Sequence, residues 1–313
     1  MAVFSNTQAT YSTIGRREDL SDIIYNIDPL ETPFMSGIKK TESSATKHEW
    51  QTDTLATAAA NAQIEGDDIT AFTAPAYTAR WDNYCQISRK DVIVSRTLDV
   101  VKKAGRKSEY NYQKLKKGQE LKRDMEVALT QNGAYVAGNI TTARQLRGLE
   151  GWVFTNDVLG GSGVSPVPST NTAATDGTAR ALTETLLQSV IQSAWNAGGS
   201  PDVIMCGGTQ KQTISGFSGG TTKFNDMDGS KKLNAAIDFY VSDFGTLKVV
   251  PNRFQRARTV WVLDMSMWKL GMLDDMAYTD LAKTGDANKG LITVEYTLEA
   301  CNEAASGAIR DCL

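Results

Sequence analysis

SEYNYQKLKKGQELKRDMEVALTQN (residues 108–132) is the stretch from which the rest of the chain is best read. Leu115, Leu121, Met125, Ala128 and Leu129 recur at helical spacing and make a narrow apolar stripe, with Gly133 placed as a C-terminal stop. At 1.5 Å per residue the predicted helix is about 40 Å long. So long a helix with so thin a stripe lies along a surface and packs on one side only.

Upstream, residues 45–94 read as a two-stranded excursion. TKHEWQTDTL is the outgoing limb, and YTARWDNYCQIS returns with Tyr77, Ala79, Trp81, Cys85 and Ile87 alternating against polar neighbours. The Ala/Thr-rich tip between them has little to bury, so either its order comes from another subunit or it is a disordered surface loop. Residues 1–17 are polar and read as an extended arm. A short amphipathic helix follows over residues 18–27, stopped by Asp28-Pro29, and a further turn closes at Gly37.

Downstream, residues 155–179 form a Gly/Ser/Thr/Pro-rich loop. Thr183 can cap a helix running through Asn196, with Leu186, Leu187, Val190, Ile191, Ala194 and Trp195 on one face. PDVIMCGG is a short buried strand, TQKQTISGF a helix, and IDFYVSDFGTLKVVP and TVWVLDM hold further strands. ITVEYTLEA alternates Ile292, Val294, Tyr296, Leu298 and Ala300 with polar residues as the last strand. The fold class is mixed α+β, a central globular region with two extended appendages.

The chain of 313 residues can bury a sizeable core, and its net charge of −3 gives no global attraction to nucleic acid. It has no apolar run long enough for a membrane helix and no secretory leader pattern, so a cytoplasmic protein and no membrane partner are expected. Cys85, Cys206, Cys301 and Cys312 are scattered; three are expected to be core residues and Cys312 a tail residue. The single histidine, His48, sits in a predicted strand far from any nucleophile motif. Gly160-Gly161-Ser162-Gly163 lacks a phosphate-loop lysine, and residues 224–229 lack the first and last ligands of a calcium loop. No catalytic residue, cofactor or metal is assigned.

Charge is more informative. Lys102, Lys103, Arg106, Lys107, Lys114, Lys116, Lys117, Lys122 and Arg123 crowd the long helix and its approach, with only Glu109, Glu120 and Asp124 to offset them. Such a stripe suits sequence-independent phosphate contact; a solvated face with intersubunit salt bridges is the plain alternative. Glu65, Asp67 and Asp68 form an acidic tip that either docks on a neighbour's basic residues or is a solvated turn.

Four segments in order resemble a family of phage major head proteins with the Hong Kong 97 capsid fold. These are GRREDLSDIIYNIDPLETPFMSGIKK, then YQKLKKGQELKRDMEVALTQN with ARQLRGLEGWV, then LLQSVIQSAWNAGGSPDVIMCGGTQKQTISGF, and finally LAKTGDANKGLITVEYTLEACNEAASGAI. The resemblance implies an N-terminal arm (1–44), an E-loop (45–94), a peripheral domain with a spine helix (95–154 and 275–313) and an axial domain (155–274). It implies a non-enzymatic subunit assembling as hexamers and pentamers in a bacterial cytoplasm, around double-stranded DNA. A portal protein is a further partner, with decoration and separate scaffolding proteins the optional ones. Candidate intersubunit contacts are Arg16, Arg17, Glu65, Asp67 and Asp68; candidate DNA-facing residues are Lys107, Lys114, Lys116, Lys117, Lys122 and Arg123. No lysine lies between Gln51 and Ala79, so covalent cross-linking through the E-loop is not expected. An encapsulin-like compartment shell is the alternative within the same fold, and a hydrolase or nucleotide-binding enzyme the alternative outside it.

Overall fold

The computed structural model describes residues 30–66, 72, 74–75, 77–103, 105–217 and 239–313. The helix expected over 18–27 and residues Arg16, Arg17, Asp67 and Asp68 lie outside them, as does the segment 224–229. In chain order the elements are α1 (Pro33–Gly37), β1 (Lys39–Glu42), β2 (Lys47–Thr52), β3 (Ala79–Tyr84), β4 (Gln86–Ser95), α2 (Arg96–Val100) and α3 (Glu109–Thr130). There follow β5 (Asp157–Val158), α4 (Glu184–Asn196), β6 (Val203–Cys206), α5 (Gly208–Ser215), β7 (Phe239–Ser242) and β8 (Gly245–Pro251). The last four are β9 (Val260–Leu263), β10 (Trp268–Asp280), β11 (Ala287–Ala300) and β12 (Gly307–Ile309).

α3 begins where Ser108 accepts a hydrogen bond from the Asn111 N–H, a cap worth about 1 kcal/mol. Its end is set by contact rather than by Gly133: the Thr130 hydroxyl turns back onto the Glu126 carbonyl at 2.9 Å and Gln131 is already extended. The stripe is shorter than expected. Burial starts at Leu121 and continues through Met125, Ala128 and Leu129, while Leu115 is 71% exposed, because the first half of the helix reaches past the core.

A four-stranded sheet in the order β1-β10-β11-β4 packs one face on α3 through Ile292, Val294, Tyr296 and Leu298. β10 and β11 form a long antiparallel pair that leads out to the 281–286 turn and back. β10 went unrecognised in the sequence because Gly271 and the register shifts at Met272/Asp274 and Asp274/Ala277 break its alternation. Phe34, Trp152 and Trp268 complete this core.

A six-stranded sheet, β5-β12-β9-β6-β8-β7, carries the second core. Thr183 caps α4 by accepting from the Leu186 N–H, and the helix buries Leu187, Val190, Ile191 and Ala194 against β12 and neighbouring strands. Leu187, Val190 and Ile191 each contribute about 1.5–3 kcal/mol relative to exposure. Trp195, expected on that face, is instead half exposed and stacks on Phe244 with ring centroids 5.1 Å apart. Cys312 is fully buried in this core, not a tail residue, and Cys301 is the partly exposed thiol. The 155–179 loop is pinned by Asp311, whose carboxylate accepts the Gly160 and Gly177 N–H groups at 3.0 and 2.9 Å and the Arg258 guanidinium at 2.7 Å. A Cβ on Gly160 would lie 2.1 Å from the Thr178 carbonyl, so only glycine allows this approach.

Candidate functional surfaces

The antiparallel pair β2–β3 is a hairpin whose base is seated on β11. At the base, His48 Nε2 lies 3.0 Å from Glu299 Oε2, the Trp50 indole donates to the Ala300 carbonyl at 2.8 Å, and Asn83 donates to the carbonyls of Arg147 and Leu298. Trp50 and Trp81 both pack on Trp152, at centroid distances of 5.3 and 6.1 Å. The alternation of the two limbs thus puts one face of the hairpin on the core. His48 is a structural anchor of the hairpin in this arrangement.

Burial would raise the Glu299 carboxyl, but hydrogen bonds from His48, Lys269 and Cys301 outweigh it and hold the group down to about 2. Lys269 is correspondingly raised by its hydrogen bond to Glu299. Burial pushes the thiols of Cys206 and Cys312 up to about 11, which leaves them protonated and poorly nucleophilic at neutral pH. Among the described residues no group of three or more His, Cys, Asp or Glu could hold a metal ion, and no helix is long and apolar enough to cross a membrane.

Beyond Thr52 the described tip residues have no regular structure, and Leu55, Ile64, Phe72 and Tyr77 are 81–99% exposed. Glu65 sits at an exposed turn with Gly66 at φ +82°. Four large apolar side chains left in water on one appendage are costly unless a partner covers them.

The six basic candidates do not share one face. At about 100° per residue, Lys116 and Lys122 point about 120° apart, while Lys116 and Arg123 point the same way to within about 20°. Lys107, Lys116 and Lys122 are exposed. Lys114 lies over the Tyr278 ring at 3.4 Å, Lys117 pairs with Glu120 at 2.8 Å, and Arg123 stacks over Phe254 at 5.6 Å. Positive charge therefore surrounds α3 instead of lining it, and three of the six side chains are already engaged.

One site that the sequence did not disclose is Glu126. It is fully buried on α3, accepts the backbone N–H groups of Phe34 and Met35 at 2.9 and 2.8 Å, and accepts from the Asn252 amide at 2.8 Å. α1 has no side-chain cap of its own, so a carboxylate some ninety residues away supplies it. Desolvation raises its pKa against the pull of these three donors. A glutamate on a lysine-rich helix looks like a solvated residue, and nothing in its spacing says otherwise.

With the extended hairpin, the long helix and the two sheets in place, the relatives of the chain can be compared. The SU10 major capsid protein family matches residues 3–312. The chain belongs to that family. The major capsid protein of Escherichia phage Phieco32 is 25% identical over 336 residues, covering 96% of this chain and 95% of its own length. Among solved structures, the cyanophage A-1(L) capsid asymmetric unit superposes with a TM-score of 0.66 at 14% identity, covering 95% of this chain and 97% of that one. The capsid of a native GTA particle gives 0.63 at 11% identity, with 99% and 100% covered. A Mycobacterium phage Bobi chain gives 0.59 at 11% identity, with 96% of each covered. The chain thus has the Hong Kong 97-type fold. It is a structural subunit of a tailed-phage head and part of the virion, and the family match sets aside the encapsulin-like alternative.

Proposed function

We propose that the subunit assembles as hexamers and pentamers in the host cytoplasm, closing an icosahedral head around double-stranded DNA without catalysing a chemical step. The observation that carries this is the hairpin: a base locked by His48, Trp50 and Asn83, and a tip whose Leu55, Ile64, Phe72 and Tyr77 are bare in the single subunit. Many modest contacts of this kind add up through multivalency. Arg16, Arg17, Glu65, Asp67 and Asp68 are assigned to contacts between subunits. Lys107, Lys116 and Lys122 are the residues best placed to meet DNA phosphates, with Lys114, Lys117 and Arg123 beside them.

The division that goes with this reading is arm 1–44, E-loop 45–94, peripheral domain 95–154 with 275–313, and axial domain 155–274. A portal protein occupies one vertex, assembly uses a separate scaffolding protein or none, and decoration proteins bind from outside. Electron microscopy of the expressed protein tests the reading: closed shells are expected, and uniformly small unassembled particles overturn it. Charge reversal at Glu65, Asp67 and Asp68 should leave a soluble subunit that no longer closes shells.

A further inference from the structure

β4 is the last strand of the four-stranded sheet, and its outer side is open. It pairs with β11 over ten consecutive residues, Gln86 to Ser95, without a register shift. On its other side nothing hydrogen-bonds to the backbone between Ile87 and Ile93 among the described residues. Side chains alternate along it: Val92 and Val94 are buried, and Lys90 reaches back to Asp124 of α3 at 2.6 Å. The opposite face carries Ile87, Arg89, Asp91 and Ile93, all exposed, with the two isoleucines 49% and 61% bare. Neither Arg89 nor Asp91 has an ion pair among the described residues. Natural sheets blunt a free edge with a bulge, as β10 does, or leave it straight for a partner. The β4 edge is straight.

We propose that β4 pairs antiparallel with β4 of a second copy about a two-fold axis at Lys90, joining two four-stranded sheets edge to edge. The inference rests on the shell reading and adds to it a contact between capsomers. An open edge supplies unpaired N–H and C=O groups, which a second strand satisfies rung by rung. The exposed face of Ile87-Ser88-Arg89-Lys90-Asp91-Val92-Ile93 is its own complement. With Lys90 opposite its counterpart, Arg89 meets the partner's Asp91, Asp91 the partner's Arg89, and Ile87 the partner's Ile93. Moving the axis by one residue, to Arg89 or Asp91, sets like charges face to face, so the charges select one register. Lys90 meets its own copy on the axis, and the Asp124 carboxylate beside each lysine offsets that repulsion. An axis normal to the sheet also keeps both α3 helices on the same face, as a shell with one inner surface requires. Such a contact is isologous and links each subunit to one partner only. Five or six subunits set head to tail in a ring cannot make it among themselves, so it falls between neighbouring rings. Each pairing is small, and repetition over the shell multiplies it.

Charge swapping tests the pairing. Arg89→Asp or Asp91→Arg alone sets like charges opposite each other and should cut the yield of closed shells roughly tenfold. The Arg89→Asp/Asp91→Arg double variant restores each pair in reversed order and should return the yield to about that of wild type. Both residues are exposed and unpaired in the single subunit, so all three variants should melt at the wild-type temperature, which separates assembly from folding. Normal shells from both single variants, or a double variant no better than the singles, would overturn the pairing. An Ile87→Cys/Ile93→Cys variant reads the geometry directly. Its oxidised shells should yield linked dimers on a non-reducing denaturing gel, absent from either single variant. A ladder of higher multimers would mean a head-to-tail contact, and unlinked protein in well-formed shells would mean no contact; either result refutes the proposal. Failure of the wild-type chain to form shells at all would instead remove the shell reading, and this inference with it.

Discussion

His48 and Glu299 meet at 3.0 Å, joining the outgoing limb of the hairpin to the last long strand across 251 positions of sequence. The Glu299 carboxyl titrates at about 2 in the folded subunit against 4.5 for an ordinary glutamate. A depressed carboxylate stabilises the fold above its unfolded pKa, and that contribution is lost as pH falls through the folded value. Urea unfolding of the unassembled subunit should therefore lose about 2–3 kcal/mol between pH 5 and pH 2 from this group. Glu299→Gln should flatten that step; an unchanged pH profile would show that the pair contributes nothing.

Glu126 predicts the opposite slope. Its pKa is raised by burial, so its contribution is greatest below the unfolded pKa and declines as pH rises through the folded one. Glu126→Ala strands the Phe34 and Met35 N–H groups and the Asn252 amide, at a cost of about 3–5 kcal/mol. Denaturant midpoints measure the loss. Faster tryptic cleavage at Lys39 and Lys40 should accompany it, because α1 loses the cap that holds its first turn.

Asp311 anchors the 155–179 loop from the far end of the fold while itself at φ +58°, a conformation that Asp and Asn tolerate better than most residues. Asp311→Ala removes three hydrogen bonds and adds backbone strain, an expected loss of about 3 kcal/mol. Asp311→Asn keeps one acceptor and the tolerated backbone, so its thermal midpoint should fall between those of wild type and Asp311→Ala.

If α3 faces DNA, the exposed lysines govern the salt response. Replacing Lys107, Lys116 and Lys122 by alanine should leave shells intact and make the slope of log affinity for duplex DNA against log salt shallower by about 1 per lysine. Replacing Lys117, already paired with Glu120, should change the slope less. Equal effects at all four would indicate that local pairing does not matter.

How much of this the sequence disclosed depends on whether local or distant chemistry sets each feature. Thr183 announces α4 because a hydroxyl ahead of an apolar-periodic run is a local signal, and the helix starts at the next residue. The apolar stripe of α3 is likewise local, and the predicted ends lie within two residues of the observed ones, although its Ser108 cap was seen only in the structure. β10 was hidden by its own bulges, and Glu126 by its resemblance to any other glutamate on a charged helix. The half exposure of Trp195 follows from Phe244, a residue on the β7–β8 turn that no helical period can foresee. Among the candidate contacts, Glu65 sits at an exposed turn, while the basic residues surround α3 because consecutive lysines on a helix cannot share a side.

The seat of the hairpin also sets a timetable. β1 needs Lys269–Met272, His48 needs Glu299, Trp50 needs Ala300, and the cap of α1 is completed by Asn252. During synthesis from the N-terminus, the hairpin emerges early and can meet Trp152 and Arg147 midway, yet its contacts with Glu299 and Ala300 wait until nearly all of the chain has followed. A nascent subunit therefore cannot present a correctly seated hairpin to its neighbours, and readiness to assemble arrives only with the last strands.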